Sequence, residues 1–520
     1  MKRKIRKVLI ANRGEIAVRI IRTLRALGIR SVAAHSDADA LSLPARMADE
    51  AVRIGPAPAS ESYLRVDAIV SAALASGADA VHPGYGFLSE RVELARAVEE
   101  AGLVYIGPTP GNVERLGSKL NARAVCREHG LPSVPGSDGS VARGDLSRVA
   151  REVGLPLLFK AAAGGGGKGI RIVRKAGEIE EAYDAASSEA RASFGSSELI
   201  AERYLERARH VEVQVVGDGR GGVRVFTERD CSTQRRQQKL LEETPSPALS
   251  SSAREKLLDA VARMASAERY RGAGTFELLL SEEGTFHFLE VNTRLQVEHP
   301  ITEAISGIDL VALQIEVAEG KDLEPWGPGK LDRVALLADK ACAMEFRINA
   351  EDPLEDFRPS TGIVTRLHLP AGPGIRVDTA LEPGTAVTPY YDSLLAKVIA
   401  WGPDRDAAIR RLRAALVELD LGGVATTAPL GVALLDDRGF LAAENHIQYL
   451  AERLRDPEFL VRSPEGDELL FAAAAAARLR GRPVRAAPAK RGHETSPWVL
   501  VERLRLPDGG RAGSDWGNHP

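Results

Sequence analysis

Two β-rich runs, GTFELLL (274–280) and TFHFLEVN (285–292), flank a short acidic spacer, Ser281-Glu282-Glu283-Gly284. Phe, Val and Thr favour extended backbone, and a spacer ending in glycine favours a tight reversal, so the segment reads as a β-hairpin. With Glu283-Gly284 as a two-residue turn, Glu277 falls directly opposite Glu290, their Cβ atoms roughly 5 Å apart. Two like charges so placed repel unless a cation lies between them. A bound Mg²⁺ or Mn²⁺ meets that need, because hard cations take carboxylate and phosphate oxygens together. A solvated pair on a sheet surface is the plainer alternative.

The chain then runs on with a polar group at every second position: Glu290, Asn292, Arg294, Gln296, Glu298. In extended backbone all five project to one side. A carboxylate, an amide, a guanidinium and a second carboxylate on one face suit a small oxyanion held beside a metal–nucleotide, although an ordinary half-exposed strand has the same period. His299-Pro300 is expected to end the strand.

Around this hairpin the period of the apolar pattern changes along the chain. In the first hundred residues KVLIAN, SVAAHS and ADAVHPG read as strands, and GEIAVRIIRTLRALG and ELARAVEEAG as helices. Alternation of that kind implies a parallel sheet with helical crossovers, placed at 1–117. From 118 to about 328 a mixed α+β region follows, with a helix at SKLNARAVCREHG, a second hairpin at HVEVQVVGDGRGGVRVFTERD and a helix at REKLLDAVARMASAERY. A third, β-rich region spans about 335–448. Beyond it, 449–520 reads as a helix, a basic proline-containing linker and a polar tail.

Composition excludes some classes of function. The formal net charge is −3 over 520 residues, which lacks the basic excess of a general nucleic-acid or anionic-membrane binder. No stretch approaches 18 unbroken apolar residues, and FAAAAAARLRGR ends in arginines, so it reads as a soluble helix. Three scattered cysteines, Cys126, Cys231 and Cys342, form no zinc spacing or disulfide framework, which suggests a reducing cytoplasm.

AAAGGGGKGI (161–170) formally contains a dinucleotide-type glycine pattern, but a strand rather than a helix follows it. It also fails the Walker pattern, since Lys168 precedes Gly169 and Ile170. Four consecutive glycines sacrifice much backbone entropy. A loop whose N–H groups close over a polyanion and then release it supplies a reason, with Lys160 beside it to pair with phosphates. A flexible hairpin turn is the alternative.

The ordered series ANRGEIAVRI, HPGYGFLSE, KAAAGGGGKGI, RHVEVQV, RDCSTQRRQQK, GTFELLL and EVNTRLQVEHPITE resembles the biotin carboxylase family over about 5–450. The resemblance implies an N-terminal Rossmann-like pre-ATP-grasp domain, a central ATP-grasp domain with a glycine-rich lid at about 133–205, and a C-terminal β-rich domain. Carried onto the matching positions, it implies that Lys119, Lys160, Gly166 and Gly167 meet the ATP phosphates. Glu202, Arg203, Tyr204, Leu205 and Leu279 would line the adenine pocket, with His210, Gln234 and Gln237 near the ribose and nucleotide. Glu277, Glu290 and Asn292 would hold two Mg²⁺ or Mn²⁺ ions. Lys239, Arg294, Gln296 and the Val297 backbone would bind bicarbonate, Glu298 would be the general base, and Arg347 would stabilise the biotin enolate with Tyr85 on the biotin path. Gln237, Arg203, Ala163 and Arg91 depart from the family's usual residues, and none of them is a proposed catalytic group.

The implied reaction is ATP- and bicarbonate-dependent carboxylation of biotin on a separate carrier protein, the first half-reaction of an acyl-CoA carboxylase, with acetyl-CoA carboxylase of fatty acid biosynthesis as the first choice. Of the four methionines only Met1 precedes a lysine, so no biotin attachment motif is expected here. A biotin carboxyl carrier protein, carboxyltransferase subunits and a second copy of the chain are the implied partners. Three alternatives stay open: a propionyl-CoA, other acyl-CoA or pyruvate carboxylase; another ATP-grasp ligase joining a carboxylate to an amine; and a non-catalytic nucleotide-binding regulatory subunit.

Overall fold

The computed structural model describes residues 4–460, apart from 138, 163–168 and 325–340, and gives no side-chain placement for 119, 120 and 194. The central four-glycine run, the alanine-rich segment and the basic linker therefore lie outside the described residues.

Near the N-terminus, strands Lys7–Ile10, Arg30–Ser36, Glu50–Gly55, Ala80–His82 and Val104–Tyr105 form one parallel sheet. Its spatial order is third, second, first, fourth, fifth, the doubly wound arrangement that helical crossovers produce. Helix Gly14–Ala26 directs Ile16, Ile20, Ile21 and Leu24 into the core beneath the first strand. Helices Val66–Ala75 and Val92–Glu100 cover the other side with Ile69, Leu94 and Val98. Strands Glu50–Gly55 and Val104–Tyr105 and helix Val66–Ala75 extend the pattern read from sequence.

The second large sheet has nine strands, all antiparallel. Along Arg209–Asp218, Val211, Val213 and Val215 point into a core shared with Leu257, Leu258 and Val261 of helix Ser251–Ala267. The intervening His210, Glu212 and Gln214 occupy the opposite face and are equally buried. The sheet continues through Gln238–Thr244 into Cys342–Asn349, Leu394–Gly402 and Ile375–Thr379, so one hydrogen-bonded surface joins the central region to the C-terminal one. Helix Arg405–Glu418 packs Leu412 and Leu416 against that end.

The hairpin differs in detail from the one expected. Its reversal is three residues, Glu282-Glu283-Gly284, closed by Ser281 and Thr285, with Gly284 at φ +78°. An irregularity between Glu277 and Leu278 then shifts the register by one, because Leu278 pairs with Phe288 while Glu277 pairs with Glu290. The two departures cancel, so Glu277 does lie opposite Glu290. The extra residue also lets Phe288 and Val291, three apart, both reach the core.

Strand Phe286–Asn292 stops at Asn292, so the extended run expected to 298 is absent. His299-Pro300 does not end a strand but opens helix His299–Ser306, with proline in the first turn where its missing N–H is harmless. No helix among the described residues is long and apolar enough to cross a membrane.

Candidate active site

The antiparallel register sets a row of charge across four strands. Glu290 lies opposite Glu277, Glu277 opposite Glu212, and Glu212 opposite Arg229. Strand alternation, which sends the valines to the core, leaves these groups on the other face. Three carboxylates abreast repel, and nearby cations offset them. Lys239, on the neighbouring strand Gln238–Thr244, places Nζ 2.5 Å from Glu212, 2.8 Å from Glu277 and 2.7 Å from Glu298. Arg229, fully buried, donates from Nε to Glu212 at 2.6 Å and from its terminal nitrogens to Gln214, Thr302 and Thr275. His210 Nε2 lies 2.9 Å from Glu277 Oε2.

The segment after the strand converges on the same point without being extended. Asn292 Nδ2 donates to Glu277 at 2.7 Å, and Gln296 Nε2 donates to the same oxygen at 3.1 Å. Arg294 bridges Asn292 Oδ1 and Gln296 Oε1, and its Nε lies 3.1 Å from Glu90. Glu298 receives Lys239 on one oxygen and Arg347 on the other, the latter at 3.0 Å; Arg347 also donates from Nε to Glu242 at 2.6 Å. Four of the five alternating polar residues thus meet one cation-rich pocket, while Glu290 stands half-buried at its side.

Proton affinities follow from this packing. Burial pushes the Glu298 carboxyl up, but Lys239, Arg347 and Arg229 together pull it further down, leaving it well below the usual carboxylate range. Glu277 is likewise depressed, burial being outweighed by Lys239 and His210. Glu242 goes the other way: burial, incompletely offset by Arg347 and reinforced by Glu298, raises it to about 7. Burial would lower Lys239, yet Glu212, Glu277 and Glu298 hold it well above its ordinary value. Cys231, with Sγ 3.9 Å from Glu298, is raised by burial and by Glu212, so it is a neutral thiol.

Glu277 offers carboxylate oxygens of the type that hard divalent cations take; here they are met by the amide nitrogens of Asn292 and Gln296, by Lys239 Nζ and by His210 Nε2. Ligand-type atoms of His210, Glu212 and Glu277 come within 4.8 Å of one another. Glu290 and Asn292 border it from the adjoining strand.

A second cluster lies on a separate three-stranded sheet formed by Leu157–Ala161, Arg171–Val173 and Leu199–Arg203. Lys160 Nζ pairs with Glu202 at 2.7 Å, both groups buried, and Arg123 approaches the other Glu202 oxygen at 3.3 Å. Tyr204 is buried beside it, Leu205 is half-buried, and Arg203 is exposed. Leu279 sits opposite His210 in the large sheet, and Gln234 opposite Lys239. Gln237 is exposed at the tip of a two-residue turn where both Arg236 and Gln237 have positive φ. Tyr85 presents its ring 5.8 Å from Lys397 Nζ. Lys119 begins helix Lys119–Glu128, its side chain undescribed, and Gly166 and Gly167 lie outside the described residues.

Sequence reasoning missed Glu212, Arg229, Glu242 and Lys397. Glu212 was within reach, because the alternation of HVEVQV puts it on the face of His210. The other three sit on strands whose register only the fold supplies.

Comparison with known proteins agrees with this architecture. The family model described as "Biotin carboxylase, N-terminal domain" matches 4–113, "Carbamoyl-phosphate synthase L chain, ATP binding domain" matches 118–325, and "Biotin carboxylase C-terminal domain" matches 345–452. The biotin carboxylase of Haemophilus influenzae is 45% identical over 453 residues, covering 86% of this chain and 99% of its own. The small subunit of 2-oxoglutarate carboxylase from Hydrogenobacter thermophilus is 42% identical over 477 residues, covering 92% of this chain and 99% of its own. Among solved structures, the biotin carboxylase domain dimer of that 2-oxoglutarate carboxylase, in complex with MgADP, ADP and bicarbonate, superposes with a TM-score of 0.84 at 42% identity, covering 89% of this chain and all of that one. With the identity spread over three matched domains, this chain belongs to the biotin carboxylase family of ATP-grasp ligases.

Proposed function

We propose that the chain uses ATP and bicarbonate to carboxylate biotin on a separate carrier protein, supplying the first half-reaction of an acyl-CoA carboxylase. The observation that carries this reading is the meeting of Lys239 and Arg347 on Glu298, with Arg294 and Gln296 beside them. Two cationic donors on a buried carboxylate, with a guanidinium and an amide nearby, suit a small planar oxyanion that must lose a proton.

Bicarbonate entering that pocket takes hydrogen bonds from Lys239, Arg294, Gln296 and the Val297 N–H. Lys239 is then shared with a second anion, so Glu298 loses part of the stabilisation that keeps it a weak base. Glu298 accepts the bicarbonate proton, and the bicarbonate oxygen attacks the γ-phosphorus of ATP, giving carboxyphosphate and ADP. Carboxyphosphate breaks to CO₂ and phosphate. The phosphate removes the biotin ureido N–H proton, Arg347 offsets the charge on the enolate oxygen that results, and the ureido nitrogen adds to CO₂ to give N-carboxybiotin. Lys160 and Lys119 serve the ATP phosphates, with Gly166 and Gly167 closing over them. Glu202, Arg203, Tyr204, Leu205 and Leu279 flank the adenine, and His210, Gln234 and Gln237 the ribose side. Divalent cations held by Glu277, Glu290 and Asn292, with Glu212 and His210 adjoining, would offset charge on the transferred phosphoryl group.

Acetyl-CoA is our choice of final acceptor. It is a property of the transferase partner, and relatives of pyruvate and 2-oxoglutarate carboxylases match this chain about as closely as those named biotin carboxylase. A homodimer is proposed by analogy with the dimeric neighbour, and three buried free thiols suit a reducing cytoplasm. The test is ADP release from Mg-ATP, with and without bicarbonate and free biotin. Turnover that requires bicarbonate and rises with biotin is expected. Hydrolysis indifferent to both would move the assignment to another ATP-grasp ligase, and tight ATP binding without turnover to a regulatory role.

A further inference from the structure

The segment 293–298 carries much of the oxyanion pocket yet belongs to no strand or helix. Three of its carbonyls are held by side chains, besides the backbone bonds from His299 N–H to Gln296 O and from Ile301 N–H to Glu298 O, both at 3.3 Å. Arg294 donates to Leu295 O at 3.3 Å, His299 Nδ1 lies 2.8 Å from Gln296 O, and Lys397 Nζ donates to Val297 O at 3.0 Å. A carbonyl only accepts, so His299 bears its proton on Nδ1.

Peptide planarity turns these contacts into orientation. A trans peptide points its N–H opposite to its carbonyl. Holding Gln296 O therefore directs the Val297 N–H the other way, and holding Val297 O fixes the next peptide, on which Glu298 is carried. Val297 is bracketed on both sides.

Of the holding groups, Lys397 comes from farthest away. It lies on strand Leu394–Gly402, directly opposite Arg347 on one neighbouring strand and Asp378 on the other. Its side chain is fully buried, 3.1 Å from Glu15 of the N-terminal helix and 3.9 Å from Asp378. Asp378 is itself held by Arg376; of the two buried carboxylates that take their main countercharge from Lys397, Glu15 and Glu345, Glu15 is the one in ion-pair contact with it. Arg347 and Lys397 thus share a sheet face and grip successive parts of one loop, the first by the Glu298 carboxylate and the second by the Val297 carbonyl.

We propose that Lys397, braced by Glu15, is a positioning residue that holds the peptide between Val297 and Glu298, and with it the Glu298 carboxylate, for bicarbonate. The proposal rests on the assignment of 294–298 as the bicarbonate pocket. Lys397 contacts Val297 O, Glu15, Asp378 and the Tyr85 ring and none of the residues assigned to the nucleotide, so its loss should fall on bicarbonate and spare ATP.

The test compares wild type, Lys397→Met and the double variant Lys397→Met/Glu15→Gln, with thermal unfolding and the KM for ATP and for bicarbonate measured on each. The double variant removes the stranded carboxylate together with its cation. It separates charge balance from positioning, and it carries the test if Lys397→Met does not fold. A KM for bicarbonate raised about tenfold or more, the scale of losing a charge-assisted hydrogen bond, with the KM for ATP within about twofold, is expected. In the double variant stability should return and the bicarbonate KM should not. A folded double variant with a wild-type bicarbonate KM, or with equal losses for both substrates, overturns the proposal. Wild-type turnover that ignores bicarbonate would instead remove the functional reading, and this proposal with it.

Discussion

The two large sheets bury their residues for different reasons. In the N-terminal parallel sheet, Val8, Leu9, Ile10, Val32, Ala33, Ala80 and Val81 are apolar and almost completely enclosed, with helices on both faces. In the nine-stranded sheet only one face is like that. The other encloses Glu212, Arg229, Glu277 and Glu298 as thoroughly as any leucine. Buried ion pairs add little net stability compared with apolar side chains of the same volume, because desolvation consumes most of the Coulombic gain. Charge retained there on such a scale fits the chemistry proposed for it better than a role in supporting the fold.

That contrast predicts how each region breaks. The largest effect is expected from Lys239→Met, which takes away the one cation shared by Glu212, Glu277 and Glu298. Loss of one partner from a buried pair costs about 3–5 kcal/mol, so urea unfolding should show a comparable drop and turnover should vanish. Adding Glu277→Gln to that variant should recover part of the stability and none of the activity.

Next comes Leu9→Ala in the parallel sheet, a cavity in an apolar core costing about 2–5 kcal/mol. Its cost should not vary with salt, and any remaining folded enzyme should keep its KM values. An effect on the bicarbonate KM alone would blur the distinction between the two sheets.

A smaller effect is a dependence on pH. Burial raises the Glu15 carboxyl from 4.5 to about 7, Lys397 offsetting it only in part. A carboxyl raised on folding contributes stability that is present below its unfolded value and lost as pH climbs through the folded one. Wild type should therefore lose stability between about pH 4.5 and 7, and Glu15→Gln should lose less over that window. Glu298 has the opposite sign: its depressed carboxyl supports folding above pH 4.5 and stops doing so in stronger acid. Identical pH profiles for wild type and Glu15→Gln would contradict the assigned burial effect. The smallest change belongs to Arg53→Ala. Arg53 pairs with Asp37 on the exposed rim of the parallel sheet, and solvent screening leaves such a pair little to contribute. The melting temperature should not move measurably.

The same contrast explains what the sequence made legible. Hydrophobic period is a local signal, so three of the five strands of the parallel sheet and its first helix could be read directly, as could the valine face of Arg209–Asp218. The pairing of Glu277 with Glu290 was also legible, although it survives only because a longer turn and a bulge compensate. The extended run to Glu298 was not. Its polar groups converge because Lys239, Lys397 and His299 hold an irregular loop, and such contacts leave no periodicity. Lys239 and Arg347 were found through family resemblance alone, since nothing local distinguishes them from surface cations. Glu242 and Lys397 needed the register of strands far apart in the chain.

On the proposed reading, the charged face of the nine-stranded sheet serves to deprotonate bicarbonate at Glu298. Its most direct test is bicarbonate-dependent ADP release by Glu298→Gln, with thermal unfolding measured on the same preparation. Gln keeps the size of the side chain but cannot accept the proton, and general-base catalysis is worth about 10²–10⁴ in rate. The account predicts a fall in turnover of at least about a hundredfold with ATP still bound and the protein still folded. A folded Glu298→Gln enzyme that retains bicarbonate-dependent turnover within a few-fold of wild type would contradict it.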